Sequence, residues 1–178
     1  MNVKEAIRER RSYRAIKDFD VTEELINDLA EAASLAPSCY NNQPWRYLFV
    51  YESEQLEALY SALADGNSWA KDGGMLIAVF GKKEDDCMVN QREYYSFDIG
   101  LATSNLMLRA TELGLVTHAM AGYDEQEAKE ILGISDEMEL ITLIAVGKRD
   151  KDSAKAKEEA ERPERLPLSE IAYKNNLA

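Results

Sequence analysis

Apolar positions along the chain fall into segments with helical or strand spacing. A helix predicted over residues 22–35 places Leu25, Ile26, Leu29, Ala32 and Ala33, and Ala36 just after them, on one side, with Thr22 at the N-cap and Pro37 ending it. A shorter helix is predicted over residues 2–10, and another over 53–63 with Ser53 as its cap. Residues 47–51 read as a strand. The continuous apolar run 75–80, bounded by glycines, reads as a buried strand. Residues 95–113 carry the longest helical pattern, with Phe97, Ile99, Leu101, Ala102, Leu106, Met107, Leu108, Ala110 and Leu113 on more than one face. Such a helix is either central in its own domain or covered by another subunit. Gly114 is placed to end it. A short strand over 116–121, a helix over 124–132 and a strong strand over 139–147 complete the pattern.

After Lys148 the character changes. Residues 149–165 are dominated by Lys, Glu, Arg, Asp and Ala, and apolar content returns with Leu166, Leu168, Ile171 and Tyr173. Composition leaves two readings open, an arm that docks elsewhere and a frayed tail. No repeat and no earlier boundary is visible. The 178 residues therefore suit one domain, 1–178, with 149–178 as a C-terminal arm. No window approaches ~18 consecutive apolar residues, so no membrane span is expected. The charged start lacks a signal-peptide core, which makes the cytoplasm the expected compartment. The formal charge of −12 argues against nucleic-acid binding by a broad basic face.

Against that acidity the cations stand out. Arg8, Arg10, Arg11, Arg14 and Lys17 lie close together, with Ser12 among them. Guanidinium forks suit phosphate oxygens, although a solvated basic helix end gives the same pattern. The connection over residues 36–46 holds Pro37, Ser38, Cys39, Asn41, Asn42, Gln43, Pro44 and Trp45. It can edge-bind a polar heterocycle, or it can be an Asx-type turn beside a core tryptophan. Asn67, after Gly66, offers a donor and an acceptor. Ala121 and Gly122 leave backbone N–H groups open to close approach.

Other chemistry is absent. There is no G-x-G-x-x-G and no P-loop, and Gly73-Gly74 reads as a turn. Cys39 and Cys87 are too few for a disulfide scaffold, and with the single His118 they make no metal site. Cys39 reads as a small, partly buried thiol, and His118 as a core histidine. No catalytic acid, base or nucleophile is assigned.

Taken in order, these segments resemble the FMN-dependent nitroreductase family over nearly the whole chain. R-R-S-x-R is present as Arg10 to Arg14. P-S-x-x-N-x-Q-P-W, the most specific piece, is present as Pro37 to Trp45. G-N is Gly66-Asn67, a helix ending in G-L runs to Leu115, and Arg165 precedes an L-P-L-S-E-I end. The resemblance implies an α+β fold, with a central mixed sheet flanked by helices. It also implies an arm-exchanged homodimer with FMN sites at the interface. By that likeness Arg10, Arg11, Ser12 and Arg14 hold the phosphate and ribityl end, Arg10 reaching also toward the isoalloxazine, and Arg165 completes the phosphate site. Asn67 meets the ring edge. Ala121 and Gly122 offer N–H groups near N5 and O4, and Pro37, Ser38, Cys39 and Asn41 come from the other subunit. Four departures stand out: Cys39 where serine is common, Gly73-Gly74 in place of Ala-Pro, no helical insert between Gly81 and Tyr95, and Pro163 where a lysine would precede Arg165.

The implied activity is a ping-pong oxidoreductase. NAD(P)H is the co-substrate, and nitroaromatics, quinones or similar small electron-poor molecules are the acceptors. The alternatives are a specialised reductase on the same scaffold, such as a dehalogenase, a flavin-binding or redox-sensing protein without turnover, and an acidic interaction module.

Overall fold

The computed structural model describes residues 1–177. Three of its helices begin where a short polar side chain satisfies a free N–H group of the first turn. In α1 (Val3–Glu9) Asn2 and Glu5 form a capping box. In α2 (Glu23–Ser34) the Thr22 hydroxyl accepts from the Leu25 amide, as the sequence predicts. In α3 (Ser53–Leu59) Ser53 is the first helical residue rather than the cap, a position taken by Glu52 with no side-chain bond. The long helix α4 (Tyr95–Glu112) ends beside Gly114 at φ 77°, a left-handed turn that suits glycine. Asp124 caps α5 (Glu125–Leu132).

The strands are β1 (Ile16–Lys17), β2 (Trp45–Val50), β3 (Met75–Lys82), β4 (Leu115–Met120) and β5 (Met138–Arg149). They form one five-stranded sheet in the order β1-β5-β3-β2, with β4 also paired to β5. Every pairing in it is antiparallel. The expected mixed sheet is therefore corrected, because β5 runs against each of β1, β3 and β4, and no two neighbours run together. β2 is an edge, paired only with β3.

Alternation along β3 fixes the layers. Leu76 and Ala78 enter one core with Leu56, Leu59 and Ala128, under α3 and α5. Met75, Ile77 and Val79 enter the other with Leu29, Ala33, Ile99, Ala102 and Leu106, under α2 and α4. Covered on both faces, β3 has no need of polar positions, which accounts for its continuous apolar run.

One side of α4 is buried in the chain, while Phe97 is 55% exposed. Leu108 lines a surface groove of about 330 Å³ with Met1, Val3, Ala32 and Leu35. Beyond β5 lie two short helices, α6 (Ala154–Glu158) and α7 (Leu168–Ile171). Leu166, Leu168, Ile171 and Tyr173 are exposed. Among the described residues no helix is long and apolar enough to cross a membrane.

Cys39 and Cys87 are joined as a disulfide, and no cysteine is free. The reading of Cys39 as a thiol is corrected. The partners are 48 residues apart, and only folding brings them together.

Candidate functional site

The arm after β5 returns to the turn that follows α1. Its anchor is the Glu159 carboxylate, which accepts from the amides of Arg14 at 2.6 Å and Ala15 at 3.2 Å and from the Arg149 guanidinium at 2.6 Å. Burial works against that charge, but these donors outweigh it and hold the Glu159 pKa below its ordinary value. Arg11 donates to the carbonyls of Glu159 and Glu161 at 2.9 and 2.6 Å. Arg162 donates in return to the carbonyls of Arg8 and Arg10, the latter at 3.0 Å. Tyr13 lies under two guanidinium groups, Arg149 at 3.7 Å and Arg11 at 4.5 Å from its ring centre.

These contacts border a cavity of about 320 Å³ lined by Arg10, Arg11, Arg162 and Arg165 with Ser12, and also by the acidic Glu158, Glu159 and Glu161. Burial lowers the Arg10 pKa, and the like charges of Arg162 and Arg165 lower it further. Cations crowded to that extent favour an anion between them. Arg14 lines an adjoining hollow with Ser68, Trp69 and Lys155. The His118 ring lies against Trp69, centroids 4.6 Å apart and tilted by 38°, and its Nδ1 is 3.3 Å from the Tyr13 carbonyl. Burial lowers its pKa from the ordinary value, and the charges of Arg14 and Arg10 add to that effect against the opposing Tyr13 hydrogen bond.

A second constellation joins the segments 62–67 and 122–124. Asn67 donates its side-chain amide to the Gly122 carbonyl at 2.8 Å, and the Ala64 amide donates to the same oxygen at 3.0 Å. A Cβ on Gly122 would stand 2.9 Å from the Asn67 amide nitrogen, so a side chain there would require that amide to move. Ala121 is exposed beside it.

The third is the loop after Pro37. Tyr40 and Asn41 in its 3₁₀ turn Cys39–Asn41, and Gln43 just beyond it, have positive φ, which non-glycine residues adopt only when their surroundings hold them. The hold is visible. The Cys39 amide donates to the buried Asp98 carboxylate at 2.9 Å, the Gln43 amide donates to Ser38 Oγ at 3.0 Å, and Asn42 donates to the Asp85 carbonyl at 3.1 Å. Arg46 pairs with Asp85 at 3.3 Å.

Within one chain, then, Arg10, Arg11, Ser12 and Arg165 meet in one cavity, and Asn67 meets Gly122. Arg14 lies next to the cavity rather than in it. Pro37, Ser38, Cys39 and Asn41 line neither place. Sequence reasoning missed Arg162, whose position three residues before Arg165 was hidden by the search for a lysine two residues before it. It also missed Glu159, Arg149 and Asp98, which act through contacts distant in sequence and leave no local signal.

The sequence profile of the Nitroreductase family matches residues 7–71 and 66–148. Protein DrgA of Synechocystis sp. is 28% identical over 207 residues, covering 96% of this chain and 95% of DrgA. NADH dehydrogenase of Thermus thermophilus is 24% identical over 178 residues, covering 83% of this chain and 86% of its own. A solved oxidoreductase containing FMN superposes with a TM-score of 0.86 at 28% identity, covering 100% of this chain and 94% of that one. The match spans both the arginine turn and the Asn67–Gly122 junction, and the chain belongs to the nitroreductase family of oxidoreductases.

Proposed function

We propose that the chain binds one FMN per subunit in a two-fold dimer and passes electrons from NAD(P)H to small electron-poor acceptors such as nitroaromatics or quinones. The observation that carries this reading is the convergence of Arg10, Arg162 and Arg165 with the Ser12 hydroxyl on one cavity, donors that suit a phosphate monoester. Of the three glutamates that share the lining, Glu159 is already engaged by the Arg14 and Ala15 amides and by Arg149. The exposed Ala121 beside the Asn67–Gly122 contact offers a backbone N–H group to a ligand's edge. An FMN-containing relative with the same fold and the NADH dehydrogenase named above support the choice of cofactor and donor.

In this reading residues 1–178 are one nitroreductase-like unit, with 149–178 as the arm. Arg10, Ser12 and Arg165 hold the phosphate, Arg14 lies toward the ribityl chain, and Arg162 ties the arm to the carbonyls of Arg8 and Arg10. Arg11 fixes the arm by its bonds to Glu159 and Glu161. Asn67 meets the ring edge, and the Ala121 and Gly122 amides face the reacting side. Pro37, Ser38, Cys39 and Asn41 of the partner subunit close the site. When bound, FMN supplies hydride acceptance and redelivery. The protein binds and orients it and admits donor and acceptor in turn to one place, hence ping-pong kinetics. No side chain is assigned as acid or base.

The dimer reading rests on exposed apolar surface. Leu166, Leu168, Ile171 and Tyr173 suit docking on a second copy, and the groove by Met1, Val3, Leu35 and Leu108 suits a helical interface. The free edge of β2, with an apolar hollow of about 480 Å³ lined by Leu48, Val50, Ile131 and Leu132, suits receipt of the partner's arm.

The test is spectroscopic. The purified dimer should carry one yellow flavin per subunit that bleaches with NADH or NADPH and regains colour on adding a quinone. Colour that ignores both nicotinamides would defeat the turnover reading. Protein that binds no added FMN would defeat the whole of it.

A further inference from the structure

We propose that Cys39 and Cys87 form a reversible thiol–disulfide site, reduced by a dithiol, that clasps residues 83–94 onto the loop following Pro37. The bond joins two segments that share an unusual backbone. On one side Tyr40, Asn41 and Gln43 have positive φ. On the other Met88, Asn90 and Gln91 do, at 35°, 54° and 63°. Neither segment carries a glycine to relieve it, so each depends on what holds it.

The two sides are held unequally. The Cys39 amide is fixed by Asp98, which is 3% exposed, and that contact does not need the disulfide. Residues 83–94 are fixed by solvent-facing contacts. These are Arg46 with Asp85 at 3.3 Å, Asn42 with the Asp85 carbonyl at 3.1 Å, Lys83 with Glu93, and the Tyr94 amide with Asp86 at 2.7 Å. Exposed ion pairs and hydrogen bonds restrain a segment weakly. The covalent link is therefore the main tie on this side, and its loss frees residues 83–94 while the Cys39 loop stays on α4.

The exchange balances as a two-electron transfer. A thiolate of the dithiol attacks Cys87 Sγ, which is half-buried next to the exposed residues 88–91. The Cys39–Cys87 bond breaks and Cys39 leaves as a thiolate that takes up a proton. The second thiol of the reductant then displaces Cys87 from the mixed disulfide. The dithiol ends as a disulfide, and the protein as two thiols. Any consequence for acceptor access rests on the FMN reading, in which the Cys39 loop faces the partner's cofactor. The clasp itself does not.

The experiment therefore reads the polypeptide and not turnover. The intact mass of protein purified without reductant, alkylated by N-ethylmaleimide in denaturant, should show no adduct, and two after dithiothreitol. On the folded protein, tryptic cleavage at Arg92 should be at least about tenfold faster after reduction, as expected when local opening is no longer restrained. Cleavage at Lys157 in the arm should keep its rate. Cys87→Ser should match the reduced rate with or without dithiothreitol. Should that variant fail to fold, oxidised and reduced wild-type protein still give the comparison. Two adducts before reduction, equal rates at Arg92 in both states, or equal acceleration at Lys157 would each overturn the clasp.

Discussion

Asn67 and Gly122 stand 55 residues apart in the chain and 2.8 Å apart in the fold, amide nitrogen to carbonyl oxygen. The contact ties the 3₁₀ stretch Asp65–Asp72 to the end of β4. A larger residue at Gly122 would displace the Asn67 amide, and since the Gly122 φ is not positive the constraint there is space and not backbone freedom. Gly122→Ala should push the Asn67 amide aside and weaken FMN about tenfold, the scale of a lost hydrogen bond near a ring edge. Quenching of FMN fluorescence on titration measures it. An unchanged dissociation constant would remove this junction from the site.

The arginines should separate by role. Arg10→Ala and Arg165→Ala should weaken FMN roughly tenfold or more while leaving riboflavin nearly untouched, since charge-assisted bonds are worth about 1.5–3 kcal/mol each. Arg11→Ala should act on both ligands alike, because its guanidinium already engages the carbonyls of Glu159 and Glu161. Parallel titrations with the two flavins decide it. Equal losses for Arg10→Ala would mean that Arg10 does not read the phosphate.

Much of this was legible in the chain, and the gaps have physical causes. Helices α2 and α4 and strands β3 and β5 were visible because each is long enough to show a period or a sustained apolar run. β1 is two residues long and shows none. The direction in which strands pair leaves no mark on the hydrophobic pattern, so the antiparallel sheet had to come from the structure. Arg10, Arg11 and Ser12 could be found because they are contiguous. Glu159 could not, since nothing near it in sequence announces the amides of Arg14 and Ala15. The Cys39–Cys87 pairing is silent for the same reason.

Ending the chain after Glu161 keeps the Glu159 anchor and removes Arg162, Arg165 and the exposed apolar residues of the arm. The truncated protein should shift toward monomer on dilution, and its FMN affinity should fall, with added FMN partly restoring the dimer. Light scattering across a concentration series, with and without FMN, measures both effects. A full-affinity dimer would mean that the arm has no part in either.

His118 is the only histidine, so its ring proton signals can be followed alone. Its pKa is lowered by burial, and the charge of Arg14 lowers it further. An imidazole depressed below its ordinary 6.5 contributes stability that is complete above that pH. The contribution is lost as pH falls through the folded value, because the unfolded chain takes up the proton first. An NMR titration should give a midpoint below 6.5, and denaturant stability should decline as pH falls below 6.5. A midpoint above 6.5 would contradict the burial assigned to the ring.

The open side of β2 offers peptide N–H and C=O groups to any extended chain, and half-buried Tyr47, Leu48 and Phe49 sit along it. For an isolated subunit that is an invitation to stack with further copies strand by strand. The net charge of −12 keeps such copies apart at low ionic strength, and salt shortens the reach of that repulsion to about 10 Å at 0.1 M. In the proposed dimer, where the partner's arm would cover that edge, an armless subunit should precipitate as salt is raised while the intact protein stays clear, and the arm would then be a guard against aggregation.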